Sequence, residues 1–175
     1  MKVRGRTAQC GLTLIELIVV IVVISLVSAV LLNRLAYYQE FAEKVAMEQT
    51  VGAMRSGLQM KIASLLLRGE HGEIPRLSNR NPVEFLEQAP QLYAGELADS
   101  EGQKNLRRGG WFFDSRRREI VYIVDKDNYF YPGPDGANWA RFRVVVEFSS
   151  LGGALGGGLG AVSIEATNGF IWDMR

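Results

Sequence analysis

A long apolar run near the start of the chain constrains the fold more than any other feature of the sequence. The run covers residues 12–32 and is interrupted only by four polar residues, Thr13, Glu16, Ser25 and Ser28. As a helix it would be about 30 Å long, which is the thickness of the hydrocarbon core of a bilayer. The sequence therefore predicts one membrane-spanning helix.

The residues before this run predict its orientation. Residues 1–11 include Lys2, Arg4 and Arg6 and no acidic residue. Because basic flanks stay on the cytoplasmic side, we expect the N-terminus inside and the rest of the chain exported. The whole chain has 20 basic and 19 acidic residues, so without these three it has 17 against 19, a formal charge of −2. Bulk charge of this size indicates no particular partner.

The only cysteine also precedes the apolar run. A single cysteine, Cys10, excludes a disulfide within the chain, although export to an oxidising compartment is predicted. A lipoprotein cysteine would follow an apolar stretch, whereas Cys10 comes before one. The exported part is therefore expected to fold by packing alone.

Helix-compatible sequence continues well beyond the membrane run. No proline occurs in residues 12–68, and Gly69 and Gly72 predict the end of the helix. The second half of this helix is amphipathic and should pack on a small sheet. Its apolar positions recur every three or four residues and are Met47, Val51, Met54, Leu58, Ile62 and Leu65. Gly52 and Gly57 each cost about 1 kcal/mol relative to alanine, which close packing on the sheet should offset.

Strand-like patterns dominate the rest of the chain. After a loop, Asn81 and Pro82 predict the start of a short helix over residues 82–88, followed by an irregular connection over 89–110. Residues 111–113, 120–124 and 141–148 predict an antiparallel meander. The glycine-rich residues 152–160 predict a flexible connection.

The last strands are predicted to form a hairpin. Apolar and polar residues alternate over residues 162–167, and Asn168 with Gly169 predicts a tight turn into Phe170 and Trp172. The predicted fold is therefore α+β, a long N-terminal helix whose second half packs on a small antiparallel sheet. Its parts are a leader over 1–11, a membrane and assembly helix over 12–34, and an exported globular domain over 35–175.

One charged residue stands inside the apolar run. Glu16 follows Gly11 by five residues, and a carboxylate in a membrane helix costs about 2.5 to 3.5 kcal/mol at the centre of the bilayer. Cleavage after Gly11 would create a new amino terminus on Leu12, four residues before Glu16. The amine of an adjacent subunit is a possible partner for Glu16, and such a pair would fix the axial register in a bundle of apolar helices.

Gly11, the following Leu-Thr-Leu-Ile-Glu-Leu and the apolar run resemble the processing and methylation motif of type IV prepilins and of the pseudopilins of type II secretion. The resemblance implies that a membrane-embedded prepilin peptidase cuts after Gly11 and methylates Leu12, and that Glu16 guides docking with other pilin subunits. It also implies a single-pass precursor in a bacterial inner membrane with its domain in the periplasm. The first mature residue of the family is usually phenylalanine, and Leu12 departs from this.

Two further comparisons with the family concern which branch the chain resembles. Many type IV pilins have a helix-breaking proline in the second half of the segment and a cysteine pair near the C-terminus. This chain has neither feature, which favours pseudopilin-like proteins. The resemblance does not indicate which secretion or pilus machinery the chain serves, or whether it is a major or minor subunit.

Other interpretations of the N-terminus remain open at the level of sequence. An ordinary secretory signal would have the same basic start, and Val27-Ser28-Ala29 is an acceptable cleavage site. Against it, Glu16 lies within what should be the apolar core, and the run continues beyond that site. A signal-anchored periplasmic binding module that does not polymerise is the main alternative of another functional class.

Three candidate sites carry weaker signals. Oxygen ligands from Asp125, Asp127 and Asp135 would suit calcium, and major pseudopilins similarly bind calcium through a C-terminal loop. His71, the only histidine, is expected to be solvated. Aromatic residues 111–113 stand between arginines at 107–108 and 116–118, a mixture found in nucleic-acid sites. Burial of these aromatics in a strand is the simpler interpretation, so nucleic acid is not an expected partner.

No catalytic signature accompanies these sites. The sequence contains neither a nucleophile elbow nor a phosphate loop nor a His-Glu-x-x-His motif. The sequence therefore predicts a structural protein rather than an enzyme, with no required cofactor.

Overall fold

One long helix runs through most of the N-terminal part of the chain. The computed structural model describes residues 13–98, 106–149 and 158–174. The chain divides into two compact units, Met1–Gln39 and Glu40–Arg175. Helix α1, Leu14–Leu67, contributes to both units, which confirms the predicted continuous helix.

A left-handed glycine ends α1 where the sequence predicts. Gly69 has a φ of +74°, and the Glu70 amide donates to the Leu65 carbonyl at 2.9 Å. The Gly69 amide donates to the Leu66 carbonyl at 3.1 Å. This pair of bonds is the Schellman arrangement, which satisfies carbonyls at a helix end and favours glycine.

The amphipathic stripe of α1 forms one side of the domain core. Five of its six predicted residues are buried and the sixth, Ile62, is half-buried, with the buried members Met47, Val51, Met54, Leu58 and Leu65. They pack in one cluster with residues of the sheet, including Phe142 and Ile164. The predicted packing of the second half of the helix on a sheet is confirmed.

The two helix glycines have different surroundings. A Cβ added at Gly57 would overlap the carbonyl oxygen of Phe85, so glycine permits a close approach between α1 and that segment. A Cβ added at Gly52 would meet nothing within 4 Å. The expected compensation by close packing is therefore present at Gly57, against Phe85 rather than the sheet, and absent at Gly52.

These surroundings predict opposite effects for one substitution. Gly57→Ala should destabilise the domain by about 1 to 3 kcal/mol because the new methyl group forces the Phe85 backbone away. Gly52→Ala should stabilise it by up to about 1 kcal/mol through helix propensity alone. Chemical denaturation of the two variants checks both signs, and equal effects would show that the close approach at Gly57 has no energetic role.

Among the described residues, two 3-10 helices follow α1. The first, His71–Asn79, buries Ile74 and Leu77 where a loop was predicted, because apolar residues three apart share a face of a 3-10 helix. The second, Pro82–Phe85, occupies the start of the predicted short helix. Its predicted cap is confirmed, since Asn81 Oδ1 accepts a hydrogen bond of 3.0 Å from the Val83 amide.

In the part of the chain that the structure describes, seven strands follow the 3-10 helices and form two sheets. The five-stranded sheet has the order β1-β2-β3-β5-β6, and the two-stranded sheet pairs β4 with β7. The α+β class is confirmed. The strands are β1 Tyr93–Leu97, β2 Trp111–Asp114, β3 Glu119–Ile123, β4 Phe130–Tyr131, β5 Trp139–Ser149, β6 Gly158–Ala166 and β7 Ile171–Trp172.

The prediction of a purely antiparallel sheet was wrong at one edge. β1 pairs with β2 in parallel and lies within residues 89–110, which were predicted to be irregular. Gly95 interrupts the strand with a φ of +89°, and the register shifts between Tyr93 and Glu96. The strand could not be predicted from the sequence because it is short and half-buried, and because glycine in a strand normally indicates a break or a bulge.

The predicted C-terminal hairpin was also wrong. Gly169 has the expected positive φ of +59°, but β7 pairs with β4 and not with β6. Asn168 accepts from the Arg141 amide at 3.2 Å and donates to the Trp139 carbonyl at 2.7 Å. The asparagine side chain therefore bonds to the backbone of β5, and the chain leaves the large sheet after β6.

The glycine-rich connection is shorter than predicted. Of residues 152–160, the last three belong to β6, whose register places Leu159 opposite Phe148. The remaining residues of the predicted flexible connection lie outside the described residues. Strand pairing therefore extends into sequence that composition alone assigns to a linker.

Strands β2 and β3 are buried on both faces. Trp111, Phe113 and Ile120 belong to the large core cluster that includes α1. Phe112 and Val121 belong to a second, smaller cluster. The predicted burial of aromatic residues 111–113 is confirmed, and these rings are not available for stacking on bases.

Candidate assembly segment and the carboxylates that follow it

The first turn of α1 is capped by a threonine. The Glu16 amide donates to Thr13 Oγ1 at 3.3 Å, and the Leu17 amide donates to the Thr13 carbonyl at 3.1 Å. Glu16 is thus the third helical residue, where the helix dipole favours a carboxylate. Its side chain is exposed. Gly11 and Leu12, the predicted processing residues, lie outside the described residues.

The surface of α1 beyond this turn is apolar on all sides. Its large aliphatic side chains from Leu14 to Leu32 are each at least 45% exposed, and include residues on every face, such as Ile18, Val19, Val20 and Ile21. Within the described residues, α1 is the one helix long and apolar enough to cross a membrane. A helix that is apolar all round requires a lipid or helical environment.

The polar side chains of this segment are few, and one serine is satisfied within the helix itself. Ser25 Oγ donates to the Ile21 carbonyl at 2.7 Å, a bond that a serine in a membrane helix makes without an outside partner. Glu16 is the only charged residue in residues 12–33. The segment therefore combines an apolar surface with one carboxylate in its first turn.

Comparison with known families bears on this combination. Residues 6–32 match the family model of the prokaryotic N-terminal methylation motif. The motif indicates a pilin-like precursor. The match spans Gly11, Leu12 and Glu16 and ends with the apolar run, which confirms the resemblance to the prepilin cleavage and methylation motif. Proteins with this motif are structural rather than enzymatic. No curated protein and no solved structure matches the chain.

In the globular domain of this pilin-like precursor, α1 contributes a carboxylate that holds a loop. Glu43 Oε1 accepts hydrogen bonds from the Tyr122 hydroxyl at 3.0 Å and the Asp125 amide at 2.7 Å. Glu43 Oε2 accepts from the Lys126 amide at 2.9 Å. Burial raises the pKa of Tyr122 above its ordinary value, and the Glu43 carboxylate raises it further, so the phenol remains a donor.

One helical turn earlier, a second carboxylate is completely buried. Glu40 has no exposed surface, and its Oε1 accepts from the Tyr129 amide at 2.8 Å and from Trp172 Nε1 at 3.0 Å. Its Oε2 accepts from Asn128 Nδ2 at 3.1 Å. We call Glu40 and Glu43 the carboxylate clamp. The clamp fixes residues 125–129 and strand β7 to α1.

Sequence reasoning did not find the carboxylate clamp. Glu40 and Glu43 precede Met47 by seven and four residues, so they continue the buried stripe toward the N-terminus. Acidic residues at core spacing were the available signal. Their partners, however, lie 79 to 132 residues further along the chain, and no local pattern indicates such contacts.

The three aspartates predicted to bind calcium are not gathered into one cluster. Asp125 lies 2.8 Å from Lys126 Nζ, and Asp135 lies 3.0 Å from Arg141 Nη2. Asp127 accepts a hydrogen bond of 2.6 Å from an asparagine amide. In the described part of the chain, no three histidine, cysteine or acidic side chains are grouped as ligands of one metal ion. Calcium binding by this loop stays a prediction.

The remaining candidate residues lie on the surface. His71 is exposed at the start of the first 3-10 helix, as predicted. Glu73, two residues after His71, pairs with Arg76 at 2.6 Å. The solvated interpretation of His71 therefore agrees with the structure.

Proposed function

We propose that the chain is a structural subunit of a filament, processed by prepilin peptidase and assembled into a type II secretion pseudopilus or a related type IV pilus. The peptidase cuts after Gly11 and methylates Leu12, and residues 12–34 join the subunit to other pilin or pseudopilin subunits. Inner-membrane assembly machinery moves the subunit from the bilayer into the filament. The domain that follows lies in the periplasm.

The observation that carries this proposal is the single carboxylate in the first turn of an otherwise apolar exposed helix, within the matched motif. An anchor that only holds a domain at a membrane has no use for Glu16, which costs free energy in lipid. A subunit that docks with identical subunits does have a use for it. Removal of the leader leaves an amine at Leu12, which is the opposite charge at nearly the same depth.

The topology follows from the same residues. Lys2, Arg4 and Arg6 hold the N-terminus on the cytoplasmic side, which presents the peptide bond after Gly11 at that face of the membrane. Glycine has no side chain and fits a narrow protease site. Processing therefore occurs at the inner membrane, and the processed subunit stays in that membrane until it is assembled.

The domain supports the proposal by having a core of its own. The buried stripe of α1 and the sheet form one cluster that does not require another chain. We infer that assembly depends on residues 12–34 and that the domain decorates the filament. Adhesion, cargo contact or contact with the secretion machinery then belongs to the domain surface.

The proposal is tested by expressing the full chain in cells with a prepilin peptidase and a pilus assembly system, and then shearing and cross-linking the cells. The chain should appear in the filament fraction. A variant that begins at Ala36 behind a cleavable signal should be folded, monomeric and absent from that fraction. A processed chain that never enters filaments would instead favour the signal-anchored binding module, and a polymerising truncation would show that the sheet drives assembly.

A further inference from the structure

A basic cavity lies where the end of α1 meets the first 3-10 helix. Its volume is about 340 Å³, at the lower end of the range for small-ligand pockets. Leu65 and Leu77 contribute its apolar lining, and both are buried. Four cationic side chains surround the same space against two acidic ones, Glu70 and Glu73, and the cations are Lys61, Arg68, Arg76 and Arg80.

The ion pairs within this cavity are weak enough to be exchanged. Arg76 lies 2.6 Å from Glu73, and both side chains are about half or more exposed. Arg68 is 3.7 Å from Glu70, and Arg80 is 3.0 Å from Glu84, in a pair whose side chains are both about half exposed. Lys61 forms no ion pair within the described residues. Exposed ion pairs contribute little to stability, so an incoming anion competes with the glutamates at small cost.

A second group of arginines adds to the positive potential beside the cavity. Arg118 donates to Asn79 Oδ1, which places the β2–β3 turn against the first 3-10 helix. Asp114 Oδ1 accepts from the amides of Arg116 and Arg117, both at 3.0 Å, and shapes this turn. The chain from Leu12 onward has a formal charge of −2, with 17 basic and 19 acidic residues. A basic surface on a net acidic chain is a local attraction for anions.

We propose that this cavity binds a phosphate-bearing ligand through Lys61, Arg68, Arg76 and Arg80. Guanidinium groups match the oxygens of a phosphate in pairs, and several cations arranged around one space suit an anion with more than one charge. The cavity lining contains no aromatic side chain. Single-stranded nucleic acids are held by stacking on such rings, so the geometry favours a compact phosphate over a nucleic acid.

The test is calorimetric titration of the full-length chain in nonionic detergent with inorganic pyrophosphate, with sulfate at matched ionic strength as the comparison anion. Pyrophosphate should bind and sulfate should bind much more weakly. Arg76→Gln should weaken pyrophosphate binding about tenfold, through loss of a bidentate charge-assisted contact. Glu73→Gln should strengthen binding several-fold because it removes the carboxylate that competes for Arg76.

The matched control is Arg108→Gln, which removes the same charge from an arginine outside the cavity that lies 3.8 Å from Asp127. It should leave pyrophosphate affinity unchanged. Equal weakening by Arg76→Gln and Arg108→Gln, or equal affinity for sulfate and pyrophosphate, would overturn the site and leave only general charge screening. Tighter binding of single-stranded DNA that survives Arg76→Gln would also overturn it.

A second experiment, with lipid vesicles, distinguishes a lipid headgroup from a soluble compound as the source of the phosphate. This experiment uses the domain that begins at Ala36, because it lacks the membrane helix and has a core of its own. Flotation of this domain with phosphatidylglycerol vesicles that is lost in Arg76→Gln would support the site and assign the phosphate to a lipid headgroup. Pyrophosphate binding without Arg76-dependent flotation would support the site and assign it to a soluble compound. Melting temperatures of all variants should match the unaltered chain because the substituted side chains are exposed.

Discussion

Glu16→Gln should leave the chain processed and resident in the membrane but should nearly abolish sheared filaments. The amide keeps the size of the side chain and enters lipid at least as readily as the carboxylate. In the assembled filament, however, the Leu12 amine of the neighbouring subunit would lose its partner. Removing one member of a fully desolvated ion pair costs about 3 to 5 kcal/mol. Even partial recovery through lipid phosphate or water leaves a large deficit at each docking step.

The experiment requires the variant to be expressed without the unaltered chain, followed by confirmation of cleavage and measurement of filaments. Glu48→Gln is a matched control because it makes the same chemical change on α1 at a position that is 58% exposed. This control should give normal filament yield. Normal yield from fully processed Glu16→Gln would remove the pairing hypothesis and leave Glu16 with a role only before cleavage.

Glu40→Ala should destabilise the globular domain by about 3 to 5 kcal/mol. The substitution leaves three donors without their acceptor, at Tyr129, Trp172 and Asn128. A buried donor left unsatisfied costs about 1 to 3 kcal/mol, and the three costs are only partly additive. Because Glu40 holds both the loop and β7, the small sheet β4–β7 should loosen first.

Two controls make the origin of this loss measurable. Glu40→Gln should cost much less, because its amide oxygen keeps two donors and the Asn128 amide is able to turn its oxygen toward the new NH2 group. Glu48→Ala removes an exposed carboxylate 3.9 Å from Lys44 and should have almost no effect. Denaturation midpoints and hydrogen exchange at residues 128–131 and 171–172 measure these differences. An equal loss in the alanine and glutamine variants would contradict the hydrogen-bond account.

Sequence patterns predicted the elements of the fold whose formation depends on neighbouring residues alone. The stripe from Met47 to Leu65 follows helical periodicity, and the Schellman end at Gly69 needs only a glycine. Asn81 and Pro82 likewise predict a helix start without reference to any other segment. Strand β1 and the pairing of β7 with β4 could not be predicted in this way, because both depend on which distant strand offers a free edge.

The same contrast, between features set by neighbouring residues and features set by distant contacts, applies to the candidate functional residues. Gly11, Leu12 and Glu16 fall within one short stretch of sequence that matches the methylation motif, so sequence alone indicates them as candidates. The carboxylate clamp depends on Trp172, which is 132 residues beyond Glu40. Only the folded chain brings such groups together. The four cations of the basic cavity are similarly dispersed over α1 and the segment after it. Glutamates lie between them, so the sequence shows no run of basic residues that would indicate the excess of positive charge.

The central claim is that the precursor is cut after Gly11, and the intact mass of protein extracted from membranes tests it most directly. Expression with a prepilin peptidase should give the mass of the chain that begins at Leu12, increased by one methyl group, with terminal sequencing in agreement. The uncut mass should return when the peptidase is absent. A mature chain that begins at Val30 would show ordinary signal-peptidase cleavage and would contradict the filament account, because residues 12–29 would then be lost.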